Sequence, residues 1–193
     1  VLENEEQLLR YCRYVLGIPV EFTWRLLRPG VVDAEFEETC MRVGELVQLA
    51  NVTRDIEKDL ARGIAYHPAL RPWLGRDART DDDPGLRAVV RDVRAELLRL
   101  ALERGPAYRK MVDDARLGRF SLARASALLM LLFTDRYYRK CAARCNLPAW
   151  DGARTVPGLL LETFPASFSP RWTTRVLVRI ERAWTAFRAD PHG

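Results

Sequence analysis

Apolar positions recur along this chain at intervals of three and four residues, with no stretch of strict alternation. That period predicts helices nearly throughout and no strand. Residues 3–27 read as one helix that bends at Pro19, where the ring removes a donor and crowds the preceding turn. Pro29-Gly30 ends it. Asp33 is placed to cap a long helix running to the neighbourhood of Gly63. Residues 68–84 read as a loop with a short helical turn over 71–74. Further helices are expected over 85–104, 108–115 and 121–145, the last of them apolar and buried. Residues 146–169 read as irregular because Pro and Gly are frequent there. A terminal amphipathic helix over 170–188 puts Val176, Leu177, Ile180, Ala183, Trp184 and Phe187 on one face. No internal repeat is found. The expected architecture is a single all-α domain over residues 1–193, an irregular helical assembly rather than a symmetric bundle.

Composition narrows the class. The chain has 193 residues, 48% of them hydrophobic and 30% charged, enough for one globular domain with a core. The formal charge is +5. Lys58, Lys110 and Lys140 are the only lysines, so nearly all cations are arginines, whose forks suit phosphate. They are scattered and form no basic-aromatic ladder, which argues against a nucleic-acid partner. Cys12, Cys40, Cys141 and Cys145 make no C-x-x-C, and His67 and His192 are the only histidines, so a zinc site is not expected. Free thiols fit a reducing, cytoplasmic setting, with Cys12 as core packing. The longest apolar run, over 125–133, is too short to span a bilayer. The terminal helix is read as docked on the core, with peripheral contact to a membrane surface as the second reading. Asp81-Asp82-Asp83-Pro84 resembles a metal cluster, but acidic residues ahead of a proline at a helix start serve as caps.

The chemistry concentrates in the long helix. Gln48, Asn51, Asp55 and Asp59 are spaced by three, four and four, which places them within about 80° on a helical wheel. Leu46, Leu49, Ala50, Ile56 and Leu60 occupy the broadly opposite side. A D-x-x-x-D pair is ordinarily a solvated face. Here it continues into Gln48 and Asn51, amides where a solvent face would carry Lys or Glu. Carboxylates one turn apart, a rise of about 6 Å, reach one space and suit a hard cation such as Mg²⁺, with diphosphate oxygens completing the shell. The four residues are expected to line a common concavity.

This segment resembles the second aspartate-rich motif of the squalene/phytoene synthase family, QLTNILRDVGED followed by RRGRIYLP. Here it runs Gln48-Leu49-Ala50-Asn51-Val52-Thr53-Arg54-Asp55-Ile56-Glu57-Lys58-Asp59, then Arg62-Gly63-Ile64-Ala65-Tyr66-His67-Pro68. Tyr11-Cys12-Arg13-Tyr14-Val15-Leu16-Gly17 is similar to the family's YC-x-x-VAG block, and residues 131–139 more weakly to its late LYR helix. The resemblance implies an isoprenoid-synthase-like helical assembly around a central cavity. It implies condensation of two farnesyl or geranylgeranyl diphosphates, head to head, through a cyclopropyl diphosphate. The expected cofactor is Mg²⁺, with NADPH as well if the product is squalene. Asp55 and Asp59 carry over as metal ligands and Tyr11, Asn51 and Tyr66 as catalytic groups. Gln48, Arg54 and Tyr138 carry over as substrate-binding residues, and Arg154 more weakly. The helical wheel puts Arg54 off the stripe, as a brace to a neighbouring helix.

The departures carry their own expectations. Leu16, Pro19 and Val20 replace smaller or different residues and would narrow an isoprenoid passage, and Ile64 stands where an arginine is usual. Val1 lies ten residues before Tyr11, so the family's first aspartate-rich motif is not in this chain. A processed chain or fragment is expected, lacking N-terminal helices and synthase activity alone, with apolar surface exposed or covered by a second copy. The alternative is a catalytically silent relative serving as a lipid-binding or assembly module.

Overall fold

The computed structural model describes residues 1–27, 30, 33–75, 82–115, 117–147 and 155–189. Eight α-helices are described: α1 (Glu5–Cys12), α2 (Ile18–Leu27), α3 (Ala34–Leu60), α4 (Pro84–Leu102), α5 (Gly105–Asp114), α6 (Leu122–Arg144), α7 (Val156–Thr163) and α8 (Pro170–Ala189). Among the described residues there is no strand. Helix α3 is the centre of the assembly and touches α1, α2, α4, α5 and α6. Fourteen of its 27 residues are buried, so it is surrounded rather than laid on a surface.

Its ends follow from sequence. The Asp33 carboxylate accepts the Phe36 N–H at 2.8 Å, and Glu35 and Glu37 sit at the positive end of the helix dipole. At the other end the Ile64 N–H reaches the Asp59 carbonyl at 2.9 Å and the Gly63 N–H reaches Leu60 at 3.0 Å. This Schellman turn requires the left-handed backbone that Gly63 adopts, φ +80°. It reverses the chain and returns Tyr66 to the helix it has just left.

Helices α1 and α2 form one rod joined by π turns over Arg13–Gly17. The irregularity therefore precedes Pro19 instead of following from a break at it. A proline ring strikes the carbonyl four residues back, here Val15, and that carbonyl lies within the widened turns. The rod crosses α3 at two glycines. A Cβ built on Gly44 would lie 2.2 Å from Gly17 N and 2.3 Å from Gly17 Cα. The glycine of the Tyr-Cys block is thus a backbone-to-backbone contact. The crossing is pinned by the buried Glu45 carboxylate, which accepts from Arg13 Nε at 2.5 Å and Arg104 Nε at 3.1 Å.

Residues 146–169 are not irregular throughout. Thr155 caps α7, Pro157 and Gly158 fall in its first turn, and a 3₁₀ turn covers Phe164–Ser167. Proline at a helix start is compatible with the helix, which a count of breakers overlooks. Asp83 caps α4 through the Leu86 N–H at 2.9 Å, the cap expected of it. Asp81, Pro29 and Arg154 lie outside the described residues. Helix α8 docks on the core. Val176, Leu177, Ile180, Trp184 and Phe187 are buried, and Trp184 Nε1 donates to Asp135 at 2.9 Å. Its apolar face is therefore not available to a membrane. Among the described residues no helix is long and apolar enough to cross one.

Candidate active site

The polar stripe of α3 collects partners from both flanking segments. Asn51 Nδ2 donates to Gln48 Oε1 at 3.1 Å, and Gln48 Nε2 donates to the Tyr11 hydroxyl at 3.4 Å. Tyr11 comes from α1 and faces Tyr66, with ring centroids 5.7 Å apart. The Tyr66 hydroxyl donates to Asp59 Oδ2 at 3.0 Å. Burial, then the Tyr11 hydroxyl and the Asp59 carboxylate, push the Tyr66 pKa well above its ordinary value. Tyr66 therefore stays a neutral donor at physiological pH. Residues far apart in sequence thus form one row: Asn51, Gln48, Tyr11, Tyr66, Asp59.

Asp55 has a different partner. Arg54 grips it with Nε at 3.1 Å and Nη2 at 2.7 Å. That bidentate bond holds the Asp55 carboxyl below its usual range and keeps it ionised. The Arg54 guanidinium also lies 5.9 Å over the Tyr137 ring of α6, the brace to a neighbouring helix that its place on the wheel predicts. Arg62 stands 3.5 Å from Asp59. The two acidic side chains keep 25% and 14% exposure, so each is reachable by a ligand yet held in place.

Beside the stripe runs a groove of about 500 Å³ between α3 and α6. On each helix the apolar lining residues come first in the chain and the cations last. Val47 and Ala50 precede Asn51 and Arg54 on α3; Met130 and Phe133 precede Arg136, Lys140 and Arg144 on α6. Among the described residues no carboxylate lines it. Of the four stripe residues, Asn51 lines this groove. Asp55 and Asp59 are not among its lining residues, and their carboxylates are held by Arg54 and by Tyr66.

Tyr138 does not join this group. It is fully buried, its hydroxyl donates to the Leu46 carbonyl, and its ring meets Trp184 edge-on at 6.0 Å. Its role is to hold α3, α6 and α8 together; the groove is lined by its neighbour, Tyr137. The cationic lining of α6 was missed by reading that helix as wholly buried. Its signal was present in the spacing of Met130, Phe133, Tyr137, Lys140 and Arg144, a helical stripe that changes from apolar to cationic.

Two carboxylates one turn apart, with an amide nearby, suit a hard divalent cation only when a ligand supplies further oxygens. Among the described residues no three Asp, Glu, His or Cys side chains gather to hold a metal unaided. The cationic groove provides for such a ligand's charge. The fold is all-helical, and the groove beside the stripe is lined by apolar and cationic side chains. The chain belongs to the squalene/phytoene synthase family, whose profile matches residues 1–154. It is 30% identical over 185 residues to a phytoene synthase of Thermus thermophilus, across 88% of this chain and 58% of that protein. The chain thus spans somewhat over half the length of that relative. No solved structure matches it.

Proposed function

We propose that the protein takes part in the Mg²⁺-dependent head-to-head condensation of two prenyl diphosphates, farnesyl or geranylgeranyl, to a squalene- or phytoene-type product. The observation that carries this reading is the groove, which joins an apolar lining to a cationic one beside a carboxylate pair. An isoprenoid chain needs the first, a diphosphate the second, and the bound cation the third. Asp55 and Asp59 hold Mg²⁺, which neutralises the departing diphosphate when bound. Asn51 uses its amide nitrogen on Gln48, which leaves its oxygen for the ligand. Arg54 exchanges part of its grip on Asp55 for phosphate oxygens. Lys140 and Arg144 attract the remaining charge, while Met130 and Phe133 exclude water from the isoprenoid. Tyr11 and Tyr66 place hydroxyls beside the reacting end.

The test reverses the groove's charge. Lys140 and Arg144 are on the surface of α6, so Lys140→Glu with Arg144→Glu leaves the core untouched. Binding of a non-hydrolysable geranylgeranyl thiolodiphosphate with Mg²⁺, followed by calorimetry, is expected to weaken by about a hundredfold, as charge reversal at two close contacts implies. An unchanged affinity, with helicity intact by circular dichroism, would remove the groove from the reading.

A further inference from the structure

We propose that the end of the molecule built from the α6 N-terminus, α7 and the Phe164–Ser167 turn docks on an anionic lipid surface. Three phenyl rings gather there in the open. Phe168 lies 5.4 Å from Phe120 and 5.6 Å from Phe164 between ring centroids. Phe164 is 68% exposed, and Leu161, one turn earlier, 76%. These are the side chains a folded protein ordinarily withdraws from water.

The backbone keeps them there. Arg124 is buried, and its guanidinium donates to backbone carbonyls on two separate segments. Nη1 reaches Gly118 at 2.7 Å and Nη2 reaches Arg119 at 2.7 Å, while Nε reaches Ala166 at 2.8 Å. Weaker bonds go to Leu117 and Ser167, and the Ser121 N–H closes on the Ser167 carbonyl at 2.9 Å. A buried cation satisfied by carbonyls is a costly device, tolerated where it fixes geometry. Here it fixes the two segments that carry Phe120 and the Phe164–Phe168 pair. The rings are carried on backbone that this hub holds in place.

Charge selects the occupant. Arg119 and Arg171 flank the rings in the chain, are exposed, and make no ion pair among the described residues. The two carboxylates described in 155–189 are engaged elsewhere, Glu162 with Arg179 and Glu181 with Arg109. The chain has no carboxylate at all from Ala115 to Thr134. A second copy pairing through this patch would set arginine against arginine, since a two-fold interface brings each patch onto itself. A lipid surface accepts the rings among its acyl chains and gives the arginines phosphate partners. This docking is independent of the reaction proposed above and differs from contact through α8, whose apolar face is spent on the core.

The test is sedimentation of the chain with vesicles of phosphatidylcholine, with and without phosphatidylglycerol, alongside its oligomeric state in solution. The chain is expected to sediment with the anionic vesicles and to stay in solution with the neutral ones. Leu161→Ser with Phe164→Ser alters only exposed side chains and is expected to cut vesicle partitioning by at least about tenfold. Arg119→Gln with Arg171→Gln is expected to abolish the preference for phosphatidylglycerol. Absence of vesicle binding, equal binding to both compositions, or equal binding by the Leu161/Phe164 variant would overturn the proposal. So would a dimer that this variant dissociates, since the patch would then belong to a second copy.

Discussion

Gly44→Ala is the sharpest perturbation the structure offers. Alanine for glycine inside a helix ordinarily stabilises by about 1 kcal/mol, because it stiffens the unfolded chain. At Gly44 the new methyl would sit 2.2 Å from Gly17 N and 2.3 Å from Gly17 Cα. Both neighbours are backbone, so no side chain can rotate away. Restoring ordinary contact near 3.5 Å moves the α1–α2 rod off α3 by about 1.3 Å. Overpacking of this kind costs about 1–3 kcal/mol, and rigid partners on both sides put Gly44 at the upper end. The expected net result is destabilisation by about 2 kcal/mol after the propensity gain is subtracted. Gly17→Ala is the internal control. Its methyl meets the flexible Met41 sulfur at 2.6 Å and backbone only at 3.3 Å, so it should cost clearly less. Urea unfolding followed by tryptophan fluorescence, with the slope checked for constancy, gives both numbers. A Gly44→Ala protein as stable as the parent, or more so, would refute the close crossing. The same shift displaces Tyr11, six residues along the rod, so the variant should also loosen the 3.4 Å bond from Gln48.

Glu45→Ala strips a buried carboxylate from Arg13 and Arg104 and should cost about 3 kcal/mol in the same unfolding assay; a loss below about 1 kcal/mol would show that Glu38 and Glu103 compensate fully. Burial, with the Glu45 charge secondary, raises the Cys12 thiol from 9.0 to about 12, and burial raises Cys40 to about 12 as well. Well below pH 9.0 both thiols are neutral in either state, so they add no pH dependence there. Between 9.0 and about 12 the unfolded chain releases protons that the folded one keeps, so stability falls as pH rises. The urea midpoint should drop between about pH 8 and about pH 10 by less in Cys12→Ala/Cys40→Ala than in the parent, and an equal drop would contradict the burial of these thiols.

The helices were legible where periodicity and caps agreed. Asp33, Asp83 and Ser121 each cap the helix that the sequence places after them. The stripe from Gln48 to Asp59 was legible because four residues on one arc need no tertiary knowledge. Its partners were not legible from spacing. Tyr66 reaches Asp59 only because Gly63 reverses the chain, and Tyr11 reaches Gln48 only because Gly17 and Gly44 let two backbones meet. The resemblance to a family supplied both tyrosines before geometry could. It also supplied Tyr138, which geometry assigns to the core. The α6 lining was obscured for a simple reason: one face of that helix is buried, and a helix read as buried is not searched for a second face. The helix within 146–169 was lost to the opposite error, counting Pro157 and Gly158 as breakers when they occupy its first turn.

The central claim is that Asp55 and Asp59 bind a prenyl diphosphate through Mg²⁺. Calorimetry of geranylgeranyl thiolodiphosphate, with Mg²⁺ and with a chelator, on the parent chain and on Asp55→Asn with Asp59→Asn, tests it most directly. The account predicts that Mg²⁺ tightens binding to the parent by at least about tenfold, that metal alone binds weakly, and that the doubly substituted protein responds to neither. Equal affinity for the diphosphate in both proteins, with Mg²⁺ present, would contradict it.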